Sequence, residues 1–345
     1  MVTETTNIDT ALLPDRRPAD DLFICDVGDA VLKDIMQHME HPFYSLSKKP
    51  ETKVRRYYHN GNWIEITPSV KGQATIYDKD ILIYCVSQIM AKLNRGEAIT
   101  KRVRITSREL LMFTNRGTSG RDYVALTEAI DRLAGTRIST NIKVGDEEQF
   151  DNFGLIEAAS IRRKNGLDGR LLWCELSLSD WVFQAIRAKE VLALHPDYFR
   201  LRKPLERRVY ELARKHCGQQ SEWTISLEKL IKKSGSQSPM KRFRQMIKGL
   251  ATIDHLPDYS VTIDESDMVR FQNRETLTKT EEKRVGTNLQ LKPETMQQAR
   301  QLAPCWDVYY LEQEWRAWIT TPPHDADAAF LGFCRKWFER RGEPT

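Results

Sequence analysis

The sequence contains no run of about 18 apolar residues, so nothing in it predicts a membrane span. Its first stretch, "MVTETTNIDTALLPDRRPAD", lacks the basic opening and apolar segment of a secretory signal, which points to a cytoplasmic protein. The six cysteines (Cys25, Cys85, Cys174, Cys217, Cys305 and Cys334) form no C-x-x-C pair and have no histidine at zinc-ligand spacing. Most sit in apolar stretches such as "ILIYCVSQIM", so buried free thiols are expected rather than a disulfide framework. Phosphate-cradling G-x-x-x-x-G-K-[ST] and the G-x-S-x-G nucleophile elbow are both absent. The seven histidines include no pair flanking one apolar residue, which a metal-dependent nicking enzyme would need. His38 and His41 lack a third ligand. The neighbouring Tyr57 and Tyr58 in "RRYYHNGN" therefore read as strand and core residues rather than nucleophiles. The expectation is a non-enzyme with no catalytic residue, cofactor or metal.

What is present is an ordinary mixture, 40% hydrophobic and 29% charged over 345 residues, with a net charge of +5. So small an excess does not establish a polyanionic partner; the clustering of the cations matters more. One cluster stands out in "SPMKRFRQMIKGLATID". Met240, Phe243, Met246, Ile247, Leu250 and Ile253 recur at helical spacing, while Lys241, Arg242, Arg244 and Lys248 accompany no acid before Asp254. A solvated helix usually mixes signs to gain i,i+4 pairs.

The surrounding pattern occurs twice. "DKDILIYCVSQIMAKLNRG" predicts a helix with Asp78 as cap and Gly96 at its end. "RVRI" then reads as a strand, and "TSRELLMFTNRG" as a helix with Thr106 and Glu109 at capping-box spacing. A second helix runs from about Arg121 to Ala134, and the strands "FGLIEAASIRR" and "LLWCELSL" follow. Later come the helix "PLERRVYELARKHCG", the strand "EWTIS", the short helix "SLEKLIKKSG", the basic helix, and a hairpin "YSVTI"/"MVRFQ" around "DESD". Helix, strand, helix, turn, helix and hairpin is the order of a winged helix, and its repetition strengthens both copies.

The fold class is therefore expected to be α+β, with tandem winged-helix domains and a small C-terminal helical domain. The boundaries are a disordered tail at 1–20, a first winged-helix domain with N-terminal extension at 21–190, and a second at 191–273. A polar linker at 274–292 and the helical domain at 293–345 complete the chain. The last helix of such a unit lies in the DNA major groove. The DNA-binding candidates in the second copy are Ser238, Lys241, Arg242, Arg244, Gln245 and Lys248. Arg244 and Gln245 are favoured for bases, and Ser238 and Lys241 for phosphates. In the first copy they are Arg116, Ser119 and Arg121. "FRLRKPLERRVYELARK" adds Arg200, Arg202, Lys203, Arg207 and Arg208 where the two units meet, although Glu206 and Glu211 offer them partners. "DDLFICDVGDAVLKDIMQHME" has helical spacing and an acidic cast. The C-terminal segment is rich in aromatics (Trp306, Tyr310, Trp315, Trp318, Phe330, Phe333, Trp337 and Phe338). They can form a helical core, or with Arg335, Arg340 and Arg341 dock a helicase, a loader or single-stranded DNA.

Several blocks, "NRGTSGRDYVALTEAIDRLAGTRISTNI", "LSLSDWVFQAI", "HPDYFRLRKPLERRVYELARKHCG" and "AFLGFCRKW" among them, resemble the replication initiator protein A family of bacterial plasmids and related phage-like elements. The resemblance runs from about Cys25 to Trp337. It implies a plasmid replication initiator that binds repeated sequences (iterons) in double-stranded origin DNA, promotes opening and recruits host proteins. Those proteins would be the replicative helicase, its loader or the chromosomal initiator. It also makes a homodimer in equilibrium with a monomer one expected state, and the lack of a long apolar run leaves no membrane partner expected. A tandem winged-helix transcriptional regulator is the alternative, and a nicking initiator a third reading that the missing histidine pair disfavours.

Overall fold

The chain enters through a short strand, β1 (Lys33–Ile35), and a helical turn, α1 (Met36–Glu40), before the hairpin of β2 (Arg55–His59) and β3 (Asn62–Thr67). The structure, a computed structural model, describes residues 11–16, 31–59, 61–141, 151–163, 171–276, 291–304, 306–319 and 323–342. It divides into two compact units, Met1–Phe271 and Gln272–Thr345. No described helix is long and apolar enough to cross a membrane.

After the hairpin comes α2 (Lys79–Asn94), which is buried along most of its length and so carries a nearly continuous apolar run instead of a stripe. β4 (Arg102–Thr106), α3 (Ser107–Phe113), α4 (Gly120–Gly135), β5 (Arg137–Thr140), β6 (Asp151–Gly154), β7 (Ile156–Arg163) and β8 (Leu171–Leu178) follow. α5 (Asp180–Arg187), β9 (Val191–Ala193) and a 3-10 turn at Pro196–Arg200 lead on to α6 (Pro204–His216) and β10 (Glu222–Ser226). The rest of the unit is α7 (Leu227–Ser234), α8 (Met240–Ile253), β11 (Tyr259–Ile263) and β12 (Met268–Asn273).

Sheet topology shows the repetition. α2, β4, α3 and α4 are followed by the β7–β8 hairpin, and the strand order is β4-β8-β7. α6, β10, α7 and α8 are followed by the β11–β12 hairpin, and the order is β10-β12-β11. In each copy the strand between the first two helices pairs with the last strand of the hairpin. The copies differ by an insertion, because β5 and β6 leave the first copy and join β2 and β3 in an antiparallel sheet of order β2-β3-β5-β6.

That insertion corrects one sequence expectation. "FGLIEAASIRR" is not a single strand: it breaks at the fully buried Leu155, where the chain passes from the sheet of β5 to that of β8. The acidic N-terminal stretch is not one helix either, since Lys33–Ile35 pairs with β9. Leu32, Ile35 and Met39 are buried all the same, and spacing cannot distinguish a helix from a short strand followed by a turn. Part of the tail expected to be disordered is packed. Leu12 is buried against Leu201, and Asn115 donates to the Pro14 carbonyl at 3.1 Å. Asp78 does not cap α2; it accepts from the Thr75 amide and takes Arg132 at 2.7 and 2.8 Å. Thr106 makes no cap bond, whereas the capping box forms at Ser119 and Asp122 on α4. Four cysteines (Cys85, Cys174, Cys217 and Cys334) are free and buried, and burial pushes the Cys174 thiol up to about 12. Cys25 and Cys305 lie outside the described residues.

Two apolar cores fill the first unit, one around α2, α4 and α5 and one around α6, α8 and the β11–β12 hairpin; Phe113 packs against both. Between them lies a buried ionic group. Lys79 sits 2.6 Å from Asp34 and 2.9 Å from Glu211, and Arg207 donates to Asp80 at 2.7 Å. Arg208 pairs with Glu211 at 3.2 Å and also donates to the Met39, Glu40 and Lys233 carbonyls. Three buried cations thus meet three buried carboxylates. Burial pushes the Asp34 carboxyl up to about 6 even with Lys79 beside it.

The second unit is a three-helix arrangement of α9 (Pro293–Leu302), α10 (Val308–Trp318) and α11 (Ala326–Arg341). Trp315, Phe330, Leu311 and Cys334 form its centre. Asp307 and Asp325 cap α10 and α11.

One buried and one half-buried histidine give the first unit an acid-sensitive side. His216 is stacked on Trp223, and burial lowers its pKa to about 4. His38, stacked on Trp181, is likewise held well below the usual imidazole value by burial. The unfolded chain therefore binds more protons at these two sites between pH 6.5 and 4, so stability falls as pH falls through that window. Asp34, with its raised value, acts in the opposite sense between pH 6 and 4. His216 alone, discounted for its partial access to solvent, should cost about 1 kcal/mol between pH 7 and 5. Urea midpoints at the two pH values should show a net loss for the parent, and a smaller one for His216→Gln.

Candidate nucleic-acid interface

The basic helix α8 meets the core through Phe243, Ile247 and Leu250, all buried. This leaves Lys241, Arg242, Gln245 and Lys248 exposed on the opposite side. The exposed face carries no acid, because none occurs between Met240 and Ile253. Gln245 stands four residues after Lys241 and three before Lys248, which places the three on one stripe. Ser238 is half-buried just ahead of the first turn.

Arg244 is placed differently. It lies half-buried at the flank of the face, where Nε and Nη2 donate to the Asp267 carboxylate at 2.7 and 2.5 Å. Asp267 has a left-handed backbone, with φ of +60°, at the end of the β11–β12 turn. Asp264 pins the same turn by accepting from the Ser266 and Met268 amides, each at 2.9 Å. The guanidinium holds the Asp267 carboxyl below its usual range. This two-pronged contact ties α8 to the hairpin. The sequence reading missed it, since "DESD" signalled a turn but not which acid would face α8.

Lys203 joins the α8 residues. It lines a groove of about 550 Å³ together with Ser238, Arg242, Gln245 and Gly249. Its Nζ lies 2.9 Å from Glu206, yet the side chain is mostly exposed. Arg202 is exposed, whereas Arg200 is occupied by the Leu13 carbonyl at 2.8 Å and Asp197 at 3.1 Å. Arg207 and Arg208 must be taken off the surface list. Both are buried in the ionic group, where carbonyls and carboxylates use their donors. The helical period cannot show that the cationic side of α6 faces a neighbouring carboxylate cluster instead of water.

The first copy offers a weaker face. Arg121 is exposed, and Ser119 is engaged in the capping box with Asp122. Arg116 turns inward to the Tyr77 carbonyl and to Asp80, 3.0 Å away. The outward side of α4 presents Val124, Glu128 and Asp131, so its charge is mixed. Tyr57 and Tyr58 are on a strand, as expected, but Tyr58 is not a core residue: it is 72% exposed on the edge strand β2.

Residues 33–261, a segment that contains the sheet of the first copy and all of α8, match the family described as replication initiator protein A. The chain belongs to that family. A putative replication protein of Wigglesworthia glossinidia brevipalpis is 36% identical over 252 residues, covering 72% of this initiator-family chain and 91% of the relative. Among solved structures, domains 2 and 3 of RctB superpose with a TM-score of 0.52 at 14% identity, covering 69% of this chain and 98% of that one. At that identity the likeness concerns the fold alone.

Buried and surface cations should separate cleanly in stability. Arg207→Ala leaves Asp80 buried without its main partner and should cost about 3–5 kcal/mol. Lys241→Ala and Lys248→Ala should stay within about 0.5 kcal/mol of the parent. Urea unfolding of the full chain measures all three, and a silent Arg207→Ala would return that residue to the candidate surface.

Proposed function

We propose that this replication initiator acts by binding repeated sequences in double-stranded origin DNA through two winged-helix domains, with α8 in the major groove. The observation that carries this reading is the acid-free exposed face of α8, third helix of a unit whose hairpin folds back on its first strand. The proposed domains keep the boundaries 21–190, 191–273 and 293–345. Lys241, Lys248, Ser238 and Lys203 serve phosphates. Gln245 and Arg242 at the centre of the face read base edges, glutamine suiting adenine and arginine guanine. Arg244 contributes once its carboxylate partner is displaced. With fewer cations on α4, the first copy holds the backbone through Arg121 and supports the geometry of the second.

Opening the origin then depends on recruited host proteins, and the C-terminal helices are the proposed docking surface. Most of their rings are spent on the core, yet Trp318 is 70% and Tyr309 63% exposed, and Arg335 and Arg340 are exposed as well.

Lys241→Ala should weaken binding to origin and unrelated duplex alike and flatten the log–log salt slope by about 1. Gln245→Ala should lose about 1–3 kcal/mol at a single base position and leave non-specific binding unchanged. Fluorescence anisotropy on origin and scrambled duplexes at several salt concentrations measures both, and parent-like values for the two variants would return α8 to an ordinary solvated helix. Removing residues 293–345 should preserve origin binding and abolish plasmid maintenance; a truncated chain that still replicates its plasmid would end the docking role.

A further inference from the structure

We propose that the cleft between the β2–β3 hairpin and α7 binds one unpaired DNA strand. The cleft measures about 770 Å³, and it meets the α8 groove at Ser236, which lines both. One wall comes from β2 and β3, with Arg56, Tyr57 and Tyr58 among its residues; the other is α7, with Lys229, Lys232 and Lys233. Glu40 is the one acid in the lining, and it is held by Lys233 at 3.1 Å. Arg56 pairs with Glu65, and Lys232 with Glu228 at 2.6 Å. These are surface pairs, which contribute little and exchange readily for a phosphate. Lys229 makes no ion pair among the described residues. The balance of charge therefore suits a polyanion.

The ring of Tyr58 decides which polyanion. It is largely exposed on an edge strand, on the same face as Arg56 and directly across from Trp63. A duplex presents phosphates and sugars along its outside and keeps its bases stacked inside, so cations alone would hold it. An aromatic face standing among cations suits a base that has lost its stacking partner. The proposal extends the origin-binding reading in one respect: an opened origin is the source of such a strand, delivered next to the helix that holds the duplex.

The test uses the full chain, a fluorescent oligothymidine of about 20 nucleotides, and an origin duplex. Tyr58→Ala should weaken oligothymidine binding about tenfold, and Tyr58→Phe should retain it. Lys229→Ala with Lys232→Ala should weaken the single strand and flatten its salt slope by about 1.4. Lys241→Ala should show the reverse pattern, losing duplex and keeping oligothymidine. The proposal falls if the parent does not hold oligothymidine, if the cleft variants bind it like the parent, or if Tyr58→Ala loses duplex to the same degree. A parent that ignores the origin duplex but holds oligothymidine through Tyr58 would end the duplex reading and leave the cleft standing.

Discussion

Six charged side chains shut away from water hold the first unit in one arrangement. Lys79, Arg207 and Arg208 come from the first helices of the two copies, and Asp34, Asp80 and Glu211 answer them within about 3 Å. Ions taken out of water gain little net stability from pairing, because desolvation cancels most of the attraction. Their effect is on specificity. Any shift of one copy against the other strands a charge in a low-dielectric setting, and that penalty far exceeds the loss of an apolar contact. The group reaches β1 through Asp34 and the end of α7 through the Lys233 carbonyl, so the N-terminal strand and the approach to α8 share one anchor.

The repeat was legible because its signals are local. Glycine ends, apolar spacing and turn residues mark each helix and hairpin, and the order of elements needed no knowledge of contacts. What stayed hidden was always a matter of partners. The β5–β6 insertion left no mark, since a strand looks the same whichever sheet it joins. Arg207 and Arg208 had the spacing of a cationic surface and became interior residues because Asp80 on α2 and the Met39, Glu40 and Lys233 carbonyls face them; only Glu211, three residues on in the same helix, was offered by spacing. Asp267 could be placed in a turn but not opposite Arg244. The exposed Tyr58 was misjudged for a related reason: an aromatic on a strand is core only if another layer covers that face, and β2 is an edge.

The two copies have diverged in what they offer to solvent while keeping their topology. The charges exposed on α8 are cations alone, whereas α4 exposes Arg121 together with Glu128 and Asp131. A shared frame with unequal faces suits a protein in which one domain selects a site and the other orients it. The groove and the cleft meet at Ser236, so the two proposed DNA sites would belong to one region of the chain.

The bridge from Arg244 to Asp267 gives that region an unusual electrostatic character. The guanidinium carries its own tethered counterion, so under the proposed duplex binding a phosphate that took Arg244 would exchange one anion for another. The displaced carboxylate would then stand beside the duplex and draw a cation back to it. Engagement of this arginine would thus be nearly invisible to added salt. A count of contacts taken from salt dependence would fall short of the number the proposed face makes, and the shortfall would belong to the contact that works by exchange rather than by net charge.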